Sequence, residues 1–339
     1  MSINVAINGF GRIGRMVFRA AWEDKSINIV AVNDLTDNKT LAHLLKYDSV
    51  HGLFSENVIA SNGYLTVGKK KIKVLAEPDP SKLPWKKLNI DVVVESTGRF
   101  TDPYKAVVHL KAGAKRVLIS APCKCEAEKV CPTNTATIVL GVNEQRYNKN
   151  IHKIISNASC TTNCVAPILK VVEDNIGIKR CFFTTIHAYT SSQKLVDGPH
   201  KDLRRSRAAA INIIPASTGA DVAAVEAIPE LRGKVRGLAF RVPVTDGSVT
   251  DFTIETQREV TPKEVNEIFK KAAGGRLKGI IQYSEDELVS TDIIHNPHSA
   301  IYDAKLTSVV DRKFLKIVAW YDNEWGYSSR VVDLIKYIA

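Results

Sequence analysis

The sequence predicts an α/β protein of two domains. The first is a parallel sheet covered by helices on both faces; the second is an α+β unit around a mainly antiparallel sheet. Three observations carry this. The chain has 339 residues, more than a single hydrophobic core usually serves. Its first third alternates short, continuously apolar runs with helical stretches, the pattern of strands buried on both faces. Beyond residue 160 the strand-like segments lengthen and alternate apolar with polar residues, as half-exposed antiparallel strands do.

In chain order, Ile3 to Asn8 is a β-rich run and Gly11 to Trp22 a helix. Ile27 to Asn33 is a second run, ending at Asp34. Asp91 to Glu95 and Val117 to Ser120 are two more. Thr162 to Asn175 reads as a helix and Arg180 to His187 as a strand. Ser191 to Ala210 is long, polar and irregular, the kind of loop that carries function in a compact domain. Thr218 to Ile228 is helical, and Val235 to Glu259 holds longer alternating strands. Thr261 with Glu264 forms a capping box for a helix through Ala273, and Val331 to Tyr337 is a terminal helix. No repeat or low-complexity linker interrupts the chain. The expected division is a change of architecture: residues 1–156, completed by 323–339, against residues 157–322.

Composition narrows the function classes. Hydrophobic residues make up 45% and charged residues 24%, the profile of a soluble globular protein. No apolar run reaches the ~18–20 residues that span a bilayer, and the first residues lack the basic and apolar regions of a secretory signal. The expected location is the cytoplasm, with no membrane partner. The net charge is +11. The basic residues are scattered, without interleaved aromatics or a nucleic-acid-binding motif. The excess therefore points to anionic small molecules, not to dedicated nucleic-acid binding. Cys123, Cys125 and Cys131 sit close together but lack the second ligand pair of a zinc site. They are expected to be unpaired surface thiols, and no metal is expected.

Gly9-Phe10-Gly11-Arg12-Ile13-Gly14 follows a strand and opens a helix, and Asp34 closes the next strand twenty residues after Gly14. This is the arrangement of a Rossmann-type dinucleotide site. Gly9 serves the tight turn, Gly11 the close approach of a pyrophosphate, and Gly14 the packing of helix on strand. The N–H groups of the helix start then face the phosphates. Asp34 favours NAD over NADP, because a carboxylate accepts hydrogen bonds from a ribose 2′-OH and repels a 2′-phosphate.

Cys160 lies where a strand gives way to a helix, in Ser156-Asn157-Ala158-Ser159-Cys160-Thr161-Thr162-Asn163-Cys164. A helix N-terminus stabilises a thiolate, which makes Cys160 a candidate nucleophile. Cys164, one turn on, reads as a small buried hydrophobe. His187, at the end of a strand, is one candidate base among eight histidines.

Here a resemblance adds to the reading. Ala158-Ser159-Cys160-Thr161-Thr162-Asn163 resembles the active-site signature of glyceraldehyde-3-phosphate dehydrogenases. So do Asn8-Gly9-Phe10-Gly11-Arg12-Ile13-Gly14-Arg15 and Trp320-Tyr321-Asp322-Asn323-Glu324-Trp325-Gly326-Tyr327. The similarity runs over essentially the whole chain. It implies that Cys160 is the nucleophile and His187 its acid/base. It implies that Arg12, Ile13 and Asp34 bind NAD, with Ser120 near the adenine end and Asn323 near the nicotinamide end. Ser159, Thr161, Thr218 and Gly219 resemble the residues that hold inorganic phosphate, and Thr190 and Arg241 those that hold the phosphate of glyceraldehyde 3-phosphate. Arg241 also makes independent sense, since a guanidinium can grip phosphate oxygens in pairs. The resemblance further implies a homotetramer. Erythrose-4-phosphate dehydrogenase, a sister enzyme, is the nearest alternative; a nucleotide sensor or nucleic-acid-binding protein on the same fold is a more distant one. The segment Cys123 to Thr135 is longer than the family pattern.

Overall fold

The computed structural model describes residues 2–125 and 130–339. They form two compact units: Met1–Ile138 with Gln145–Ala158 and Ser328–Ala339, and Val139–Glu144 with Ser159–Tyr327.

The first unit contains β1 (Ile3–Asn8), α1 (Arg12–Ala21), β2 (Ile27–Asn33) and α2 (Asn38–Lys46). A two-residue ladder follows, β3 (Tyr47–Asp48) with β4 (Gly52–Leu53). Then come β5 (Val58–Ser61), β6 (Tyr64–Val67), β7 (Lys70–Leu75) and β8 (Val92–Glu95). The short helices α3 (Pro103–Ala106) and α4 (Val108–Lys111) precede β9 (Arg116–Ile119), β10 (Thr135–Thr137) and β11 (Ile154–Ser156). The sheet order is β10-β11-β9-β8-β1-β2-β7-β6-β5. Pairing is parallel from β10 to β7 and antiparallel only where β7, β6 and β5 meet. β8 and β9 are buried along their whole length, which is why both read as unbroken apolar runs. Trp85, fully buried, packs with Ala6, Ala31, Ile90 and Val93 beneath this sheet. The guanidinium of Arg19, on α1, donates to the carbonyl of Leu45 (2.7 Å) and so satisfies the C-terminal end of α2.

The second unit contains α5 (Cys160–Asn175), β12 (Ile178–Ala188), β13 (Ile214–Ala216), α6 (Ala220–Ala227), β14 (Val235–Val242), β15 (Ser248–Thr256) and α7 (Pro262–Gly274). β16 (Ile281–Ser284), β17 (Ala300–Asp303), β18 (Ser308–Val310) and β19 (Phe314–Tyr321) follow; α8 (Trp325–Ile338) begins at the end of this unit and from Ser328 onward belongs to the first. The sheet order is β13-β14-β12-β15-β19-β17-β16, with β18 on β19. Only β12–β14 and β16–β17 are parallel. β15 alternates strictly between buried and half-buried residues, the signature of a sheet with one covered face. α5 is buried from Thr161 to Leu169 on every side, its polar residues Thr161, Thr162 and Asn163 included. Thr261 caps α7 by accepting from Glu264 N (3.3 Å). Glu264 itself reaches Arg258 (2.7 Å) in an exposed pair, so the cap is made on one side only.

The fold class matches the sequence expectation: a mostly parallel sheet in one unit and a mainly antiparallel sheet in the other. The expectation of three unpaired thiols does not hold. Cys125 and Cys131 form a disulfide, with Cα atoms 5.5 Å apart, a separation that suits such a bridge. Six residues of separation allow either state. Cys123 lies outside this disulfide and packs against the apolar cluster of Ala106, Val117, Ile119 and Ile154.

Candidate active site and dinucleotide cleft

In the first unit the strand order reverses at β1, with β2 on one side and β8 on the other. Ligands of open α/β sheets bind at such a switch point, outside the carboxyl ends of the strands. A cleft of about 260 Å³ lies there, lined by Asn8, Gly9, Gly11, Asn33, Asp34 and Thr97, among others. Gly9 adopts φ +91°, and a Cβ on it would lie 2.6 Å from Thr97 N. Gly14 is held for a different reason: a Cβ there would meet Gly9 O at 2.2 Å, so α1 packs on β1 only because the side chain is missing. Gly11, the N-cap of α1, has φ −71° and open space where its Cβ would point. That empty space beside the first N–H groups of α1 is a cradle for a phosphate group. The residues present therefore fit NAD at this end: glycine cradle, helix N-terminus, and a carboxylate at the end of β2.

The cleft rim is fixed from below by a buried chain of hydrogen bonds. Trp85 Nε1 donates to His109 Nδ1 (3.0 Å), and His109 Nε2 meets Glu95 Oε2 (3.0 Å). Asn8 donates to the same Glu95 oxygen (2.6 Å) and accepts from Asn33 (2.7 Å). Glu95 also accepts from Thr97 N (2.9 Å). His109 is thus a structural residue. Asp34 accepts from Phe10 N (2.8 Å) and Thr36 N (3.0 Å), which ties the end of β2 to the glycine loop. Arg12 pairs through its guanidinium with Asp48 (2.5 Å), and Ile13 is half-buried on α1. These two residues therefore offer backbone N–H groups. Ser120 follows β9, its N–H bonded to Glu95 O (2.9 Å).

In the second unit Cys160 is the first residue of α5, and Ser159 is its N-cap, accepting from Thr162 N (3.0 Å). Just before it Ala158 turns through φ +53°, a conformation that costs a residue bearing a Cβ about 1–2 kcal/mol and that clusters at functional sites. His187 lies near the end of β12. The two meet: Cys160 Sγ is 3.4 Å from His187 Nε2. Nδ1 of the same ring lies 2.7 Å from Ala188 O. The carbonyl favours a proton on Nδ1, the tautomer that leaves Nε2 as an acceptor facing the thiol, whereas the Arg241 guanidinium, which can only donate, favours the other tautomer. Arg241, on β14, is in register with His187. Its Nη1 lies 2.6 Å from Nδ1 and donates to Ala188 O (3.0 Å).

Electrostatics set the resting state. Burial, and then the charge of Arg241, push His187 down to about 3. Burial pushes the Cys160 thiol up, against the pull of Arg241 and Thr161. Both shifts favour a neutral thiol beside a neutral imidazole. The helix N-terminus expected to favour a thiolate is present, but burial opposes it. Cys164 is fully buried, and burial pushes its thiol up as well, as a buried hydrophobe should be.

Two residues that the sequence did not single out support the pair. Tyr321 OH bonds to both Thr161 Oγ1 (3.0 Å) and Thr185 Oγ1 (2.8 Å). Its ring stands edge-on to His187, centroids 5.9 Å apart. Tyr321 lies inside the Trp320–Tyr327 motif, which was the one available signal; Thr185 had none.

The anion-binding candidates fall into groups. Thr161 is the second residue of α5, while Gly219, with Thr218 beside it, is the N-cap of α6; the two helices pack together. Ser159 spends its hydroxyl on the cap, and Thr218 Oγ1 accepts from Ala220 N (3.2 Å). Thr190 bonds to Gln193 (3.0 Å) and Ser192 (3.0 Å) at the start of the 191–210 loop. Asn323 follows β19 and is held by Ser248 Oγ (2.6 Å). No helix among the described residues is long and apolar enough to cross a membrane.

The comparisons agree with this geometry. Residues 3–103 match the glyceraldehyde 3-phosphate dehydrogenase NAD binding domain, and residues 159–323 match the glyceraldehyde 3-phosphate dehydrogenase C-terminal domain. A glyceraldehyde-3-phosphate dehydrogenase of Geobacillus stearothermophilus is 54% identical over 339 residues, covering 100% of this chain and 99% of the relative. One from Streptomyces coelicolor is 54% identical over 340 residues, covering 100% and 99%. Glyceraldehyde-3-phosphate dehydrogenase 2 of Bacillus subtilis is 50% identical, covering 100% and 97%. With both domain matches and half of all residues shared from end to end, the chain belongs to the glyceraldehyde-3-phosphate dehydrogenase family.

Proposed function

We propose that this protein oxidises D-glyceraldehyde 3-phosphate to 1,3-bisphosphoglycerate with NAD and inorganic phosphate, through a thioester on Cys160. The observation that carries the proposal is the 3.4 Å approach of Cys160 Sγ to His187 Nε2. His187 takes the thiol proton as sulfur attacks the aldehyde carbon, and returns it to the carbonyl oxygen, giving a thiohemiacetal. The free N–H groups at the start of α5 stabilise negative charge on that oxygen. His187 then accepts the hydroxyl proton as the carbon loses hydride and becomes a thioester. NAD, when bound, supplies the hydride acceptor. A phosphate oxygen next attacks the thioester carbon, the Cys160 thiolate leaves, and the acyl phosphate is released. Sulfur suits both halves, being a good nucleophile first and a good leaving group later.

Roles follow from positions. Gly9, Gly11, Gly14, the N–H groups of Arg12 and Ile13, Asp34 and Ser120 bind the adenosine and pyrophosphate, and Asn323 the nicotinamide. Arg241 and Thr190 take the substrate phosphate; a phosphate on Arg241 offsets the charge that depresses His187, so binding raises the basicity of the base. Ser159, Thr161, Thr218 and Gly219 take inorganic phosphate. The first unit thus acts as the nucleotide domain and the second as the catalytic domain. The assembly is a cytoplasmic homotetramer; the loop around Leu195, Val196, Leu203 and Ile211, with these side chains exposed, is apolar surface that association would cover.

The test is to mix the protein with glyceraldehyde 3-phosphate and follow reduced nicotinamide, with and without phosphate. A stoichiometric burst without phosphate, becoming sustained turnover when phosphate is added, is the expected result. Turnover with erythrose 4-phosphate alone moves the protein to the sister activity, and no reduction with either aldehyde overturns the proposal.

A further inference from the structure

We propose that Ser248 is a positioning residue that locks the side-chain amide of Asn323, so that its NH₂ edge alone is offered to the nicotinamide carboxamide. This rests on the reading of Asn323 as the nicotinamide contact. Ser248 opens β15 and is fully buried. Its Oγ has two partners at hydrogen-bond distance: Ala188 N at 3.1 Å and Asn323 Oδ1 at 2.6 Å. A backbone N–H only donates, so it uses a lone pair of the hydroxyl. The one hydroxyl proton is left for the amide, and an amide accepts only through its oxygen. The flipped amide would place an NH₂ against a hydroxyl that already accepts, and would leave the buried hydroxyl proton without an acceptor. The hydroxyl therefore selects one of two amide orientations that are otherwise nearly equal in shape.

The backbone on either side is fixed as well. Asp322 accepts from Glu324 N (2.9 Å) and Trp325 N (2.6 Å) at the start of α8, and from His295 N (2.7 Å). The freedom left to Asn323 is rotation of its amide, and Ser248 removes it. The hydrogen bond that holds the amide is made through Oδ1, and the NH₂ edge, a donor only, can recognise only an acceptor. The structure thus assigns this edge to a carbonyl oxygen of the ligand, not to its amide NH₂.

The same hydroxyl serves the catalytic pair. Ala188 gives its N–H to Ser248 and its carbonyl to Nδ1 of His187. One buried hydroxyl thus anchors both the residue whose carbonyl faces the base and the amide that reads the cofactor.

The experiment is equilibrium titration calorimetry with three probes: NAD, its 3-acetylpyridine analogue, and ADP-ribose. The analogue keeps the ring carbonyl and lacks the amide NH₂; ADP-ribose lacks the ring. Wild-type protein is expected to bind NAD and the analogue within about threefold of each other. Ser248→Ala weakens both by about 3–10-fold, the worth of one neutral hydrogen bond, and leaves ADP-ribose unchanged. Ser248→Thr, which keeps the hydroxyl, restores both. Binding of the analogue tenfold or more weaker than NAD by the wild type overturns the proposed orientation, and needs no variant. An equal loss for ADP-ribose in Ser248→Ala shows a general structural role and overturns the proposal too. Failure of the wild type to bind NAD at all overturns the cofactor reading itself.

Discussion

Gly11 and Gly14 stand three residues apart in one motif, yet the structure gives them opposite work, and two alanine substitutions separate the roles. At Gly14 an added Cβ would lie 2.2 Å from Gly9 O and 3.2 Å from Ile7 Cγ2. The first contact is about 1 Å short of ordinary carbon–oxygen contact, and the carbonyl cannot retreat, because Gly9 is itself pressed against Thr97. α1 must move off β1. Such overpacking costs about 1–3 kcal/mol, so Gly14→Ala should lose thermal stability and, with the helix N-terminus displaced, NAD affinity as well. At Gly11 nothing lies within 4 Å of the added Cβ, and φ is −71°. Replacing glycine by alanine as N-cap costs up to about 1 kcal/mol, and restricting the unfolded chain returns about 0.4–1 kcal/mol. Stability should stay within about 1 kcal/mol of wild type. The methyl group, however, fills the cradle. Loss of one hydrogen bond from the helix start to a phosphate, at about 1.5–3 kcal/mol, weakens NAD about 10–100-fold. The assay is thermal unfolding at fixed protein concentration beside calorimetric titration with NAD. Gly11→Ala that binds NAD within threefold of wild type would refute the assignment of the open space to phosphate. Gly14→Ala with unchanged stability would refute the packing account.

The catalytic pair yields three more expectations. Cys160→Ser should retain NAD binding and abolish NADH formation, and substantial turnover in that variant would sink the thioester route. His187→Ala should slow acylation by about 10²–10⁴-fold, the usual worth of a general base; a single-turnover burst at the wild-type rate would remove His187 from the mechanism. The third concerns acid stability. The folded protein holds His187 near 3 against an ordinary 6.5, so the unfolded chain binds a proton between those values that the folded chain does not. The contribution of this group is complete above pH 6.5 and is lost as pH falls toward 3, at up to about 1.4 kcal/mol per pH unit. Urea unfolding of His187→Asn should therefore lose less stability between pH 7 and pH 4 than wild type, by about 3 kcal/mol. Equal losses in the two proteins would show that His187 is not held neutral by the fold.

Most of the fold was legible in the chain, because its signals are local. β2 runs from Ile27 to Asn33 as its apolar run implies, and α1 and α7 begin where a glycine cap and a threonine cap put them. The glycine spacing with Asp34 located the nucleotide cleft, since each of those residues answers to a neighbour a few positions away. The start of α5 was placed two residues late. Sequence periodicity begins at Thr162, whereas the helix begins at Cys160, and that difference decides whether the thiol sits at the first N–H groups of the helix or outside them.

The sequence by itself determined the two sheet types, the glycine cradle with its carboxylate, and the residue kinds available for covalent catalysis, because propensity, burial pattern and motif spacing act over short stretches. Only the tertiary structure decided what those residues are worth. It brought Cys160 to His187 across 27 positions, set Arg241 against the same imidazole from a neighbouring strand, and closed Cys125 onto Cys131. It also lowered the pKa of His187 by burial and committed the hydroxyls of Ser159 and Ser248 to particular partners. Desolvation and hydrogen bonding depend on what surrounds a group in space, and residues distant in the chain supply those surroundings.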